Sequence, residues 1–423
     1  MSPLIMPREH YYVGLDVGSA KVKVVVGKFD PNTDQLSIVG TGEAPSAGLR
    51  RGVIVDLEEA VSSISQALDH AERMTGLSLN HAVVSVNGPH INTINSHGVI
   101  AVSRADGEIT EHDLLRVIDA SQAMQLPLNK EILHVIPKHF AVDGQGGIKD
   151  PVGMSGIRLE VESTIIEVST PYLRNLQKCL KQVGLEVDEL VLSSLASANS
   201  CLTKRHKEIG SVLIDLGAGT TGVVVYEEGQ LLLASVVPIG QAHVTNDIAI
   251  GLRTTVDTAE EIKLKYGHTD PESLRKDSEI KLSEFDANED EMVSRRHVVE
   301  IMEARIEEIL SSVNKELKKI NRDGQLPGGV VLVGGGANLP GIVDYAREKL
   351  RLPVVVGNPS STLSSVIDRI SDPMYGTGVG LVQWVAEEDL RHGSSGLGLS
   401  LGKKIADNPG VSKLKSWFKS FLP

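Results

Sequence analysis

The sequence predicts a duplicated α/β fold whose two halves close on one cleft, and three glycine-bearing stretches predict it. In the middle of the chain, Ile214-Asp215-Leu216-Gly217-Ala218-Gly219-Thr220-Thr221 is followed by Val223, Val224 and Val225. The pattern reads strand, tight turn, strand. The glycines let the backbone approach a ligand, two hydroxyls sit on the turn, and Asp215 ends the strand. Leu15-Asp16-Val17-Gly18-Ser19-Ala20-Lys21, followed by Val24 to Val26, repeats the device. Asp16 aligns with Asp215, Gly18 with Gly217 and Val24 with Val223, all at an offset of 199 residues. One such hairpin could be an ordinary exposed turn; two in register indicate a duplication that clamps a phosphate chain. In the third stretch, Val330 to Val333 run into Gly334-Gly335-Gly336, and a helix follows from Ile342 to Leu350. Its spacing is neither a dinucleotide fingerprint nor a P-loop, but a glycine-rich bend of this kind admits a flat ring or a phosphate against the backbone.

Each element follows from its pattern. Tyr11 to Lys28 is a strand hairpin and Leu36 to Thr41 a third strand. Glu58 to Met74 places Val61, Ile64, Ala67, Leu68 and Ala71 on one helical face, and Gly76 ends it. His81 to Asn87 returns to a strand. From Pro89 the texture changes, and residues 89–167 form a small α/β insertion. In it Thr110 caps a helix, Ile132 to Ala141 and Ser163 to Ser169 are strands, and the five glycines of 144–156 predict a long mobile loop. Pro171 to Val183 is a helix capped by Gly184. The Ala/Ser-rich stretch Ser193 to Leu202 suits a tightly packed helix, either a core helix or the connector between the halves. The second half repeats the outline. A hairpin spans Gly210 to Glu227, a third strand Leu231 to Val237, and helices Ala242 to Leu252, Thr255 to Gly267 and Ser294 to Lys319. Thr362 to Ile370 is expected to be helical. The small, apolar Met374 to Trp384 is expected to pack as a helix against Ser193 to Leu202.

Composition narrows the function. The chain has 423 residues, 41% of them hydrophobic and only 3% aromatic, so its cores are aliphatic. A net charge of -13 argues against a nucleic-acid binder. Two cysteines, Cys179 and Cys201, provide no disulfide framework and suit a reducing compartment. His134, His139 and His243 have no metal-site spacing and are expected to be satisfied surface histidines. Residues 1–10 show no signal peptide, and no run is long and apolar enough to span a bilayer.

Two phosphate hairpins followed by the Gly-Gly-Gly strand and helix resemble the actin, Hsp70 and sugar-kinase ATPase superfamily. Within it the sequence is most similar to the FtsA family of bacterial cell-division proteins, from about Tyr11 to Val385. The resemblance implies an actin-like ATPase fold, two duplicated α/β domains around a nucleotide cleft with an FtsA-type inserted subdomain. The first core subdomain would be 11–88, completed by 168–198 and 365–385; the second would be 199–237, completed by 305–364. Residues 89–167 would be the inserted interaction subdomain, and 238–304 the subdomain that contacts the C-terminal peptide of FtsZ. The implied cofactors are ATP and Mg²⁺. Asp16 and Asp215 would hold the metal through water. Gly18, Ser19 and Ala20 would approach the phosphates from one side, and Gly217, Gly219, Thr220 and Thr221 from the other. Gly334, Gly335, Gly336 and Asn338 would face the adenosine, and Glu260 and Lys263 the ribose or base. Asp215 is the carboxylate best placed to orient a hydrolytic water, with Thr220 or Thr221 as alternatives. ATPase activity is expected to be weak at most. The implied function is to polymerise on the inner membrane, to tether the FtsZ ring and to help recruit later divisome membrane proteins.

Other readings fit less well. A small-molecule kinase needs a general-base Asp by the cleft, and the insertion offers only Asp106, Asp113, Asp119, Asp143 and Asp150. An Hsp70-like chaperone needs a substrate domain after residue 385. A PilM-like pilus assembly protein shares the insertion but usually lacks the terminal helix seen here.

That terminal helix is read from the residues themselves. A linker is expected over 386–410, and then Val411, Leu414, Trp417, Phe418, Phe421 and Leu422 fall on one helical face. Lys413, Lys415 and Lys419 lie on the polar side. Such a face suits the headgroup boundary of an anionic membrane and is too short to span it.

Overall fold

The computed structural model describes residues 10–393 apart from 31, 32, 34, 105, 276, 277, 287–290, 360–362 and 366. The expected membrane helix 411–423 lies outside the described residues.

The chain begins with the meander β1 (His10–Val17), β2 (Lys21–Asp30) and β3 (Gln35–Pro45). A short hairpin, β4 (Leu49–Arg50) and β5 (Val53–Ile54), leads into α1 (Leu57–Thr75) and β6 (His81–Val86). The insertion holds β7 (Asn92–Ala101), α2 (Glu111–Gln122), β8 (Lys130–Val142), β9 (Gln145–Ile148) and β10 (Arg158–Ser169). Then come α3 (Thr170–Val183), β11 (Glu186–Leu192), α4 (Ser193–Cys201) and α5 (Lys204–Ile209). The second meander is β12 (Ser211–Leu216), β13 (Thr221–Glu227) and β14 (Gln230–Val237). It is followed by α6 (Gln241–Leu252), α7 (Val256–Tyr266), β15 (Glu279–Lys281), β16 (Met292–Ser294) and α8 (Arg295–Lys319). The last elements are β17 (Val330–Val333), α9 (Ile342–Leu350), β18 (Val354–Val356), β19 (Ser364–Ser365) and α10 (Gly376–Gly393).

The duplication is visible in the sheets. The first runs β11-β6-β1-β2-β3-β19 and the second β14-β13-β12-β17-β18. Each is an antiparallel meander extended by strands parallel to its first strand. Even the register repeats: Asp16 lies opposite Lys23 and Val17 opposite Val22, while Asp215 lies opposite Gly222 and Leu216 opposite Thr221. The insertion has its own sheet, β7-β10-β8-β9, packed by α2.

Local chemistry explains the helix ends. The Asp56 carboxylate accepts from the amides of Glu58 and Glu59 at the start of α1, and Gly76 ends it with a left-handed φ of 72°. Thr110 and Asp113 form a reciprocal capping box on α2. One aliphatic core joins the first sheet, the insertion and one face of the second sheet, where Leu213, Val224 and Ala234 contribute. A second core fills the other face of that sheet beneath α6, α8 and α9.

Helices α4 and α10 cross between the sheets, as their small residues suggest. A side chain at Gly380 would place its Cβ 1.8 Å from the Ala196 carbonyl oxygen, so the helices touch backbone to backbone. That approach is closed to any other residue.

Four sequence expectations need correction. The glycine-rich 144–156 is not all loop, because β9 pairs with β8 through its backbone. The described residues of 362–370 are not the expected helix: Ser364–Ser365 adds to the edge of β3, and a 3₁₀ turn covers Asp368–Ser371. The linker expected from residue 386 does not start there, since α10 continues to Gly393; the rest of 386–410 lies outside the described residues. His134 is not on the surface; it is buried, and its Nε2 accepts from the Leu192 amide at 3.1 Å. No helix among the described residues is long and apolar enough to cross a membrane.

Candidate functional site

A cavity of about 440 Å³ opens where the two hairpin turns face each other. That size suits a cofactor-sized ligand. Gly18, Ser19 and Ala20 line one side and Gly217, Gly219 and Thr220 the other. Gly334, Gly335, Gly336 and Asn338 form the wall that follows β17, and Glu260 and Lys263 reach in from α7. The structure therefore brings together the residues of all three glycine signals.

Thr221 is the exception. As the first residue of β13 it alternates away from the cavity, and its buried hydroxyl donates to the Ile239 carbonyl at 2.8 Å. Only Thr220 stays at the turn, where its hydroxyl oxygen accepts from the Asn87 amide of the other lobe at 3.0 Å.

The two strand-end carboxylates differ. Asp16 is buried, and both its oxygens are taken, one by Lys23 Nζ at 2.7 Å and the other by the Ser85 hydroxyl at 3.0 Å. Asp215 accepts from the hydroxyls of Ser197 at 3.1 Å and Thr377 at 3.4 Å, both on one oxygen. Its other oxygen faces Gly334, where a Cβ would lie 2.5 Å away; the φ of 80° there also favours glycine. Burial, then the nearby Asp16 charge, pushes the Asp215 carboxyl above the usual carboxylate range. A cation at this cleft would relieve that repulsion. Among the described residues no cluster of three or more His, Cys, Asp or Glu could cage a metal. A hydrated Mg²⁺, held by one or two carboxylates and by phosphate oxygens, fits this donor set.

Glu260 and Lys263 are not a loose surface pair. Their charged ends are 2.6 Å apart, the Lys263 side chain is only 11% exposed, and Lys263 also donates to the Thr245 hydroxyl at 2.9 Å. The Asn338 amide donates to Asp372 at 3.0 Å, which ties the glycine wall to the turn before α10.

Sequence reasoning missed several lining residues: Lys21, Lys23, Gly52, Asn87, Ser193, Gln241, Met374 and Thr377. Lys23 could have been found, since it lies opposite Asp16 in the hairpin register. Asn87 and Thr377 come from separate elements and carry no local signal.

Residues 212–380 match the family model "Cell division protein FtsA", and residues 88–167 match "SHS2 domain inserted in FTSA". The chain is 37% identical over 410 residues to the cell division protein FtsA of Pseudomonas aeruginosa, covering 96% of each chain. It is 40% identical over 379 residues to that of Bacillus subtilis, covering 90% of this chain and 84% of the relative. The chain belongs to the FtsA family of cell-division proteins. Solved structures agree on the actin-like fold. The PilM-PilN type IV pilus biogenesis complex matches with a TM-score of 0.66 at 15% identity, covering 89% of this chain and 98% of that one. MreB5 of Spiroplasma citri bound to ADP matches with 0.53 at 14% identity, covering 92% and 99%.

Proposed function

We propose that this FtsA-family chain binds ATP with Mg²⁺ in the cleft. It would assemble into filaments on the cytoplasmic face of the inner membrane at the division site, tether the FtsZ ring there and help recruit later divisome membrane proteins. The observation that carries the nucleotide reading is the cavity itself: two register-matched hairpins and a triple-glycine bend face one another across it. MreB5 structures with ADP and with AMPPNP share the fold. The turns at Gly18–Ala20 and Gly217–Thr220 would hold the phosphates, Gly334–Gly336 the adenosine, and Glu260 and Lys263 the ribose or base. Asp215 would hold the hydrated metal, with Asp16 behind it. The metal would supply positive charge to the phosphates.

The carboxylates support a clamp more than a fast hydrolase. Asp16, Asp215 and Glu260 line the cavity, and each already accepts hydrogen bonds from protein groups. Asp16 has both oxygens engaged, and Asp215 keeps only its second oxygen toward the cleft, where it would serve the metal in place of a general base. Closure of the lobes on the nucleotide would instead set the filament contacts. Residues 238–304 would take the FtsZ C-terminal peptide, and residues 411–423 the anionic lipid surface.

Titration of the full chain with a fluorescent ATP analogue, competed with unlabelled ATP in the presence of Mg²⁺, tests the reading. Saturable, competable binding is expected; its absence would remove the nucleotide from the account.

A further inference from the structure

The tip of the β4–β5 hairpin lies between the two phosphate turns. Its two-residue loop is Arg51-Gly52, flanked by the pairs Leu49 with Ile54 and Arg50 with Val53. Both loop residues have left-handed φ, 52° and 75°. A loop of this type favours Asn or Asp followed by Gly, and Arg in its first position is conformationally disfavoured. A turn that keeps Arg there keeps it against its conformational preference.

The contacts of the tip suggest a reason. The Gly52 amide donates to the Ser19 hydroxyl oxygen at 2.8 Å, on the first turn. Gly219, on the second turn, lies against the Arg51 backbone; a Cβ there would be 2.7 Å from the Arg51 Cα. The exposed guanidinium reaches α6 of the other half, where its Nη2 is 3.3 Å from His243 Nε2. Arginine can only donate and needs Nε2 as acceptor, yet Nδ1 is placed to accept from the Gly240 amide at 3.1 Å, and a neutral ring accepts at only one nitrogen. Among the described residues Arg51 forms no salt bridge. Its partner is an imidazole whose pKa is lowered by burial, opposed by the Gly240 hydrogen bond and the Asp247 charge and reinforced by the Arg51 and Arg305 charges. A phosphate oxygen is a far stronger partner for a guanidinium than this nitrogen.

We propose that Arg51 senses the terminal phosphate: it leaves His243 for a triphosphate bound between the two turns and returns to His243 when a diphosphate is bound. The proposal rests on the cleft being the nucleotide site. Both states bridge the lobes, but only the triphosphate state places the guanidinium on the ligand. The hairpin thereby distinguishes the two nucleotides by their charge at the end nearest Ser19 and Gly219.

The test compares binding of AMP-PNP and ADP, each with Mg²⁺, by calorimetry on the full chain. Arg51→Asn removes the guanidinium and suits the turn better than the native residue, so the hairpin is preserved. AMP-PNP affinity should fall by about tenfold or more while ADP affinity changes less than about twofold. His243→Ala frees the guanidinium and should leave AMP-PNP binding equal or tighter. Equal losses for both nucleotides in Arg51→Asn, or no loss for either, overturn the sensor. If the wild-type chain binds neither nucleotide, the cleft assignment fails first and the sensor fails with it.

Discussion

Asp16 and Lys23 form an ion pair across the first hairpin at 2.7 Å, both nearly buried. The second hairpin has the same register and no such pair: Asp215 lies opposite Gly222, and a Cβ there would meet the Cβ of Ser194 at 2.8 Å. Helix α4 occupies the space of the missing lysine. The duplication is thus symmetric in backbone and asymmetric in charge. One carboxylate is neutralised within the protein, and the other is left to face the cleft.

Lys23→Met should therefore destabilise the chain by about 3 kcal/mol, because it leaves a buried carboxylate without its cation. Adding Asp16→Asn should recover much of that loss. A double-mutant cycle by chemical denaturation measures the coupling. Additive effects would mean that the pair contributes nothing beyond its separate residues.

Gly380→Ala should cost at least about 2 kcal/mol, since its methyl group would overlap the Ala196 carbonyl and force α4 and α10 apart. Gly146→Ala, in β9, meets nothing within 4 Å and should stay within about 0.5 kcal/mol of wild type. Thermal unfolding of the two variants separates them, and equal midpoints would contradict the packing described for the helix pair.

Acid should destabilise the fold through the buried His134 and the half-buried His90. Burial lowers His134 to about 3 and His90 to about 4. The unfolded chain binds their protons below about 6.5, where the folded chain still excludes them. Stability from these groups is therefore complete above about pH 6.5. It declines as pH falls toward the folded values, by up to about 1.4 kcal/mol per pH unit for each histidine. His134→Gln should flatten the decline between pH 6.5 and 4 relative to wild type. Parallel pH profiles for the two proteins would show that His134 is not a source of it.

The tail makes a separate prediction. Val411, Leu414, Trp417, Phe418, Phe421 and Leu422, with Lys413, Lys415 and Lys419, should carry the chain onto anionic liposomes. A version ending at Ala406 should stay in the supernatant, and added salt should weaken the full chain's binding. Equal pelleting of the two versions would defeat the anchor.

The hairpins were legible in the sequence because their chemistry is local. A strand, a glycine turn and a second strand fix their own register, and the 199-residue offset exposes the repeat. What the sequence concealed depends on distant chain. Thr220 and Thr221 look equivalent until the pleat of β13 turns one away. The 49–54 hairpin has strands of two residues, too short for any alternation to register. The glycines of β9 and the serines of β19 gain their structure only from backbone bonds to β8 and β3. His134 looks like a polar strand residue, but it lies beneath Trp384 with ring centroids 5.7 Å apart. Asn87 and Thr377 reach the cleft from elements far apart in sequence, and no spacing rule connects them.

The most direct measurement is calorimetric titration of ATP into the wild-type chain and into Asp215→Ala, with and without Mg²⁺. Asp215 is the strand-end carboxylate that faces the cleft, so its loss should weaken Mg²⁺-dependent ATP binding by tenfold or more, about 1.4 kcal/mol. Binding without the metal should change far less. Unchanged Mg²⁺-dependent affinity in Asp215→Ala would contradict the assignment of this cleft as a magnesium-nucleotide site.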